Sequence, residues 1–462
     1  MRRFPPAALV PLLAVTLLGP GFPGIDSQPA PLPRTLDPVP DAAVPTATLP
    51  APLPPVNPTA PPAKPATPDI LIEGSGWGHG VGLSQYGARA MALAGNSYAQ
   101  ILGHYFKGIR LGTLRRAPDA IRVNLFLDRA VDASRVQLQS QGREGRAPTQ
   151  PVTVRLGATR AVTIPFGQTW ELRAEGPGFV LHDAAGAVRA RGGQPARVEF
   201  QHLKGHPSLL RLPQVGGSYQ WGVLEVVHGN GPLQPVLVLG LEAYLRGIAE
   251  VPSAWPVEAL KAQALSARTY AVRQVARGAQ QGCACHLGAT PLHQAYAGWA
   301  KEAGQDGHRW VTAVKTTAGQ VVTYQGQLAW TYFSSSHGGH SENSEDSWAY
   351  PNAIPYLRAV PDPWSTAPTA ENPRAKWQVR IPNRVFARAL GVGLTEVHAI
   401  RIVSRTAGGT PHELEVTGID RRGVAQVKRW KGAKRGIAGA DLKLLFRAEL
   451  PGQQISAITL AP

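Results

Sequence analysis

The chain has 462 residues, enough for two or three domains with adequate cores. Its hydrophobic content of 43% is ordinary for a globular protein, and with only two cysteines a disulfide-stapled scaffold is excluded. The formal net charge of +17 favours polyanionic partners, but no dense Lys/Arg tract or aromatic-rich RNA-binding signature accompanies it, so nucleic acid is not an expected partner.

Arg2 and Arg3 precede an apolar run over residues 7–18, followed by Gly19, Pro20 and Gly21. This is the charged start and short apolar stretch of a secretory signal, too short for a comfortable membrane span. Residues 1–24 are therefore expected to be a signal peptide, or an anchor if left uncleaved, which would be the one link to a membrane. The expected location is exported: the cell envelope, periplasmic or wall-associated. Residues 25–69 are dominated by Pro, Ala and Thr. They cannot bury enough apolar surface to offset ordering entropy and are expected to form a disordered, semi-extended linker.

Residues 70–112 open with a glycine-rich strand and continue as a helix, with Tyr98, Ile101, Leu102 and Tyr105 at helical spacing. Over 113–235, short apolar runs at 121–126, 152–156 and 161–164 are split by Gly, Pro and Asp turns, predicting a small all-β subdomain. From 236 to 462 the character changes. Leu241, Tyr244, Leu245 and Ile248 predict a helix over 240–250, stopped by Pro252. A second helix starts near Pro256, with Val257, Leu260, Ala264, Ala267 and Ala271 as its buried face. Strands are expected at 319–324 and 329–335, and strands alternating with a basic helix from about 397 to 450. The expected fold class is α+β.

Four clusters carry groups suited to chemistry. In 74–87, glycine recurs at 74, 76, 78, 80 and 82. An extended chain would place all five on one face, open to a backbone or a flat ligand, with Ser75, Trp77, His79 and Val81 opposite. Trp77 could stack on a sugar ring and His79 could bond to hydroxyls; the alternative is a strand packed tightly against a neighbouring backbone. In 249–256, Glu250 sits at the predicted end of a helix, where unpaired carbonyls and partial desolvation would raise its pKa toward that of a general acid. The alternative is a solvated surface glutamate. In 331–348, serines, glycines and histidines follow an apolar strand and suit a polyhydroxylated ligand; no nucleophile elbow surrounds the serines, which argues against a protease. In 283–293, Cys283, Cys285, His286 and His293 are zinc-ligand types at a spacing that is not a strong zinc pattern.

Taken together, the stretches 240–272, 329–348, 356–364 and 74–108 resemble the SpoIID/LytB family, the sporulation stage II protein D and amidase-enhancer group. The resemblance implies a peptidoglycan lytic transglycosylase acting on peptide-stripped glycan strands, with helices and strands around a glycan-binding groove and no required cofactor, zinc not being favoured. It carries the catalytic acid onto Glu250. It makes Ser334, Ser335, Ser336, His337, Gly338 and Gly339 candidate substrate contacts, joined by Trp77, His79, Gln85 and Tyr86 from the glycine-rich segment, and Gln263, Arg268 and Tyr270 groove-supporting residues. The order departs from the family: the glycine-rich segment comes first here, so the chain looks circularly permuted, and residues 70–111 are expected beside the strands that follow about 397. Some relatives carry a Cys/His zinc site ahead of a triplet like Gln294, Ala295 and Tyr296; the spacing here differs, so those ligands are not carried over.

In the implied mechanism Glu250 protonates the glycosidic oxygen and then takes the proton of the muramoyl C6 hydroxyl, closing a 1,6-anhydro ring. A second carboxylate from Glu342, Glu345 or Asp346 would favour hydrolysis instead. Two rivals stand beside this reading: a non-catalytic wall-binding protein that stimulates an amidase, and a secreted metalloprotein organised by Cys283, Cys285 and nearby histidines.

Overall fold

The computed structural model describes residues 67–143, 151–200, 208–229, 231–347, 353–432, 440–446 and 449–461. The expected export signal and nearly all of the expected linker lie outside the described residues, as does Trp348. No helix among the described residues is long and apolar enough to cross a membrane.

The fold is α+β, with short helices among several sheets. Strand β1 (Ile70–Ser75) is central in a three-stranded antiparallel sheet, flanked by Trp377–Ile381 and Gln454–Leu460. Its alternation buries Ile70 and Ile72 against a core that also holds Phe386, Val397, Leu414 and Ile458. Helix α1 (Gln85–Leu93) follows, then α2 (Tyr98–Tyr105). Ser97 starts α2 with a reciprocal capping box to Gln100, and Ile101, Leu102 and Tyr105 face inward.

Two antiparallel-rich sheets, of six and seven strands, make up most of residues 121–239. The runs read from sequence form Ile121–Asn124, Val152–Leu156 and Val162–Ile164. This β region is not walled off from the helices. Val123, Leu138, Trp170 and Leu237 share one apolar cluster with Tyr244, Leu260 and Trp310. The expected boundary at 235/236 falls inside the strand Gln234–Leu239, and that at 112/113 inside Arg110–Thr113, which pairs with Gln320–Tyr324. Hydrogen-bonded pairing holds both boundaries together, which local apolar spacing does not report.

Helices α3 (Leu241–Arg246), α4 (Val257–Ala276), α5 (Trp299–Ala303) and α6 (Gly307–Thr316) complete the centre. In α4 the stripe Leu260, Ala264, Ala267 and Ala271 is buried as expected, but Val257 is 43% exposed. Almost every residue from Ala259 to Val272 is buried, because other elements surround this helix on all sides. The expected strand 329–335 is broken: only Phe333–Ser334 pairs, in parallel, with Leu83–Ser84.

Candidate active site

Glu250 does not end a helix. Helix α3 stops at Arg246, and Gly247 lies so close to Tyr296 that a Cβ would come within 2.4 Å of its ring. Ile248 then bridges Tyr296, and Ala249 N donates to Ala295 O at 2.8 Å. Ala295 N donates in return to Glu250 Oε1 at 2.5 Å. The half-buried carboxyl is pushed up to about 7 by desolvation, against the pull of hydrogen bonds from Ala295 and Gln85. Burial, not the expected helix-end carbonyls, is the cause.

Both flanks of this loop are fixed. Tyr244 stacks on Tyr296 at 5.3 Å between centroids and donates its hydroxyl to Gln294 Oε1 at 2.9 Å. On the other side, Lys301 Nζ donates to Val251 O at 2.5 Å. Burial lowers the Lys301 ammonium to about 8.

The third wall comes from far away in sequence. Ser84 caps α1 by accepting from Gly87 N, which sets Gln85 at the first helical position. Buried Gln85 faces Glu250 closely enough to oppose the rise of its pKa, and donates to Gln263 Oε1 of α4 at 3.4 Å. Next to it, Tyr86 meets the Trp255 indole edge-on at 5.1 Å. One carboxylic acid with a raised pKa is thus held between α1, α4 and the 294–296 triplet, an arrangement suited to proton donation near neutral pH.

Residues 230–324 match the SpoIID family model, described as Stage II sporulation protein. This segment of the chain is thus similar to the SpoIID family. The chain is 34% identical over 197 residues to Stage II sporulation protein D of Bacillus subtilis (strain 168), covering 40% of this chain and 55% of that one. The protein of the same description from Bacillus amyloliquefaciens is 34% identical over 221 residues, covering 44% of this chain and 59% of that one. An amidase enhancer of Bacillus subtilis (strain 168) is 33% identical over 120 residues, 26% of this chain and 15% of that one. The chain thus spans little more than half the length of the stage II relatives. No solved structure matches.

The glycine row is not a strand beyond Ser75. Gly76, Gly78, Gly80 and Gly82 have φ of 80°, 113°, 73° and 77°, a left-handed path that side chains oppose. The packing is as tight as the backbone alternative required. A Cβ on Gly78 would lie 2.6 Å from Ser334 Cβ, and one on Gly82 would lie 2.2 Å from Tyr332 O. Replacing Gly82 with alanine is expected to cost about 2–4 kcal/mol of stability, from conformational strain plus forced backbone movement. Gly95→Ala is the control: its φ is 87° with nothing within 4 Å of the Cβ, so a loss near 1 kcal/mol is expected. Urea midpoints of the two variants check the difference.

Trp77 is 44% exposed, with the Arg374 guanidinium 4.6 Å from its ring centroid. His79 has both ring nitrogens on backbone: Val81 N donates to Nδ1 at 3.1 Å, and Nε2 donates to Phe333 O at 2.8 Å. Burial first, then Lys443, lowers its pKa to about 3. The imidazole is therefore a neutral clamp on the glycine row, with no nitrogen left for hydroxyls.

The serine turn mostly faces inward. Ser334, Ser336 and His337 are buried, while Ser335, Gly338 and Gly339 are half-buried. Ser336 exchanges main-chain hydrogen bonds with Trp77, and its hydroxyl accepts from Asn372 Nδ2 at 2.7 Å. Ser335 O accepts from Tyr86 N at 3.0 Å. A Cβ on Gly338 would lie 2.5 Å from the carbonyl carbon of Ser75, and Gly339 pairs with Asp362. The turn thus braces the glycine row, leaving Ser335 its most accessible hydroxyl.

Of the residues carried over on α4, Gln263 joins Gln85, as above. Arg268 is fully buried, clamping Glu242 through two bonds of 2.9 and 2.8 Å and donating to Val314 O and Gln320 O. Tyr270 accepts from Gln274 Nε2 and packs edge-on against Trp330 and Tyr332. The carboxylates considered as a second catalytic group are engaged elsewhere. Glu342 accepts from Thr406, Gly408, Thr410 and Gln454; Glu345 pairs with Arg358; Asp346 accepts from Asn343. Cys283 and Cys285 are joined in a disulfide. His286 Nδ1 accepts from Arg122 N, and His293 Nε2 lies 3.1 Å from Gln280 Nε2. Among the described residues no group of three or more His, Cys, Asp or Glu is placed to hold a metal ion.

Several contributors escaped the sequence reading. Ala295 acts through its main-chain N–H, which no side-chain pattern reveals. Asp362 is buried under the serine turn, accepts from Tyr105 at 2.7 Å, faces His337 Nδ1 at 3.5 Å, and is raised to about 6 by burial. It lies within the 356–364 stretch that carried the resemblance, which is the signal that could have found it.

Proposed function

We infer that this protein works on the cell wall as a peptidoglycan lytic transglycosylase, cutting glycan strands that have lost their stem peptides. The observation that carries this is the Glu250 carboxyl, held by Ala295 N beside Gln85 in surroundings whose burial pushes its pKa up to about 7. Glu250 gives its proton to the oxygen between N-acetylmuramic acid and N-acetylglucosamine as that bond breaks. The resulting carboxylate takes the proton of the muramoyl C6 hydroxyl, whose oxygen closes on the anomeric carbon. Proton and leaving group balance without a second acid, in keeping with the engagement of Glu342, Glu345 and Asp346 elsewhere. The strand is held by an exported, basic protein whose +17 charge suits muramic carboxylates.

The test is mass spectrometry of peptide-stripped strands incubated with purified protein. Fragments ending in 1,6-anhydromuramic acid are expected; strands left intact sink the proposal, and reducing ends instead of anhydro ends would replace it with hydrolysis.

The relation to an amidase enhancer supports a second reading, in which the protein binds the wall and stimulates an amidase without cutting glycan. Faster stem-peptide release by an added wall amidase, with no change in strand length, would select it.

A further inference from the structure

Immediately after Glu250 the chain builds a second feature that the acid does not use. Pro252, Trp255 and Pro256 form an apolar wall of a depression of about 560 Å³, closed on its other sides by Arg89, Arg309 and Glu371. The two arginines differ. Arg89 spends its guanidinium on Thr369 O at 2.9 Å, Ala370 O at 2.5 Å and Glu371 Oε2 at 2.6 Å, so it neutralises the acid beside it. The guanidinium of Arg309, half-buried on α6, makes one hydrogen bond, from Nη2 to Trp255 O at 3.0 Å. That bond fixes the guanidinium against the wall and leaves Nε–H, Nη1–H and the second Nη2–H without partners among the described residues. With Glu371 matched by Arg89, the lining keeps one net positive charge, and it belongs to Arg309.

We propose that this depression is the subsite for the carboxylate of the substrate strand, with Arg309 as the residue that selects muramic acid over N-acetylglucosamine. The proposal rests on the glycan-cutting reading of the site. Its chemistry follows from what distinguishes the two sugars: muramic acid alone carries a lactyl ether ending in a carboxylate. A planar guanidinium with free donors matches a planar carboxylate in a fork that a neutral hydroxyl cannot fill. The wall that anchors Arg309 is the same loop, 250–256, that carries the acid, so a strand whose carboxylate meets Arg309 is registered against Glu250. An alternating polymer has two kinds of linkage, and the transglycosylase reaction closes a ring only when the muramoyl residue lies on the anomeric side of the acid. A carboxylate anchor supplies that register. Tyr86, seated on Trp255, and Gln85, facing Glu250, tie the two features through consecutive residues of α1.

The experiment measures binding with catalysis switched off. Glu250→Gln protein is titrated by calorimetry with peptide-stripped glycan fragments and, separately, with chito-oligosaccharides of the same length, which lack the carboxylate. Arg309→Gln added to that background is expected to weaken binding of the muramic-containing fragments about tenfold and to leave chito-oligosaccharide binding unchanged, with Arg309→Lys between the two. In protein that retains Glu250, Arg309→Gln is expected to raise KM by a similar factor with kcat little changed. Thermal melting of each variant separates a folding defect from a binding defect. Equal binding of muramic fragments with and without Arg309 overturns the proposal, as does equal weakening for both oligosaccharides. If the Glu250→Gln protein binds neither sugar and protein that retains Glu250 cuts nothing, the groove itself fails, an outcome distinct from failure of Arg309 alone.

Discussion

Glu250→Gln is expected to cut the release of anhydro-ended fragments by about 10²–10⁴-fold, the range that a general acid supplies. The loss should fall on kcat, because the glutamine oxygen can still accept from Ala295 N and hold the loop. Proton donation needs the neutral acid, so in protein that retains Glu250 the rate should decline as pH rises through about 7. Stability moves with the same proton. The unfolded glutamate loses it near 4.5, the folded one near 7, so across that window the unfolded state binds fewer protons and stability falls as pH rises. The full effect is about 3 kcal/mol at 1.36 kcal/mol per pKa unit. Glutamine has no charge to desolvate. At pH 8 the variant should therefore melt higher than the parent protein, and at pH 4 the two should melt together. An inactive variant that is also less stable at pH 8 would mean that Glu250 is a structural anion rather than a poised acid.

Arg268→Ala is expected to lose about 2–4 kcal/mol, from the cavity left by a fully buried side chain and the hydrogen bonds it gives up; the Glu242 carboxylate left behind is partly exposed and adds little. The change strips Glu242 of two hydrogen bonds, removes a donor to Gln320 O, and leaves Val314 O with Thr317 Oγ1 alone. Arg268→Lys should recover little, since an ammonium cannot reach the carboxylate and both carbonyls from one planar fork. Urea unfolding followed by circular dichroism reads the loss. If Arg268 instead touched substrate, both variants would unfold at the parent midpoint and differ only in KM.

The stretches with one strong period were legible from the sequence. Tyr98, Ile101, Leu102 and Tyr105 mark a helix that forms over Tyr98–Tyr105, and the short β runs from 121 onward form strands close to where they were expected. The glycine row was misread because alternation says only that a face lacks side chains. Four positive φ angles turn the path away from a strand, and composition alone cannot distinguish the two. Glu250 was placed at a helix end because Ile248 continues the apolar spacing of α3; in the structure Ile248 instead bridges Tyr296. The serine turn reads from sequence as hydroxyls suited to a polyhydroxylated ligand, yet Ser334 and Ser336 are buried against the glycine row, which arrives from more than 250 residues away. Arg309 carried no signal at all among 47 Lys and Arg residues.

The pairing of β1 between Trp377–Ile381 and Gln454–Leu460 has a temporal consequence. Gly78 N donates to Pro451 O, and Ala461 N donates to Asp69 O at 2.6 Å, so the segment that leads into Gln85 is clasped by residues 451–461. A polypeptide emerging from its N-terminus makes Gln85 and Glu250 long before that clasp exists. The strand pairing that seats residues 70–75 is therefore complete only once residues 454–460 have been made.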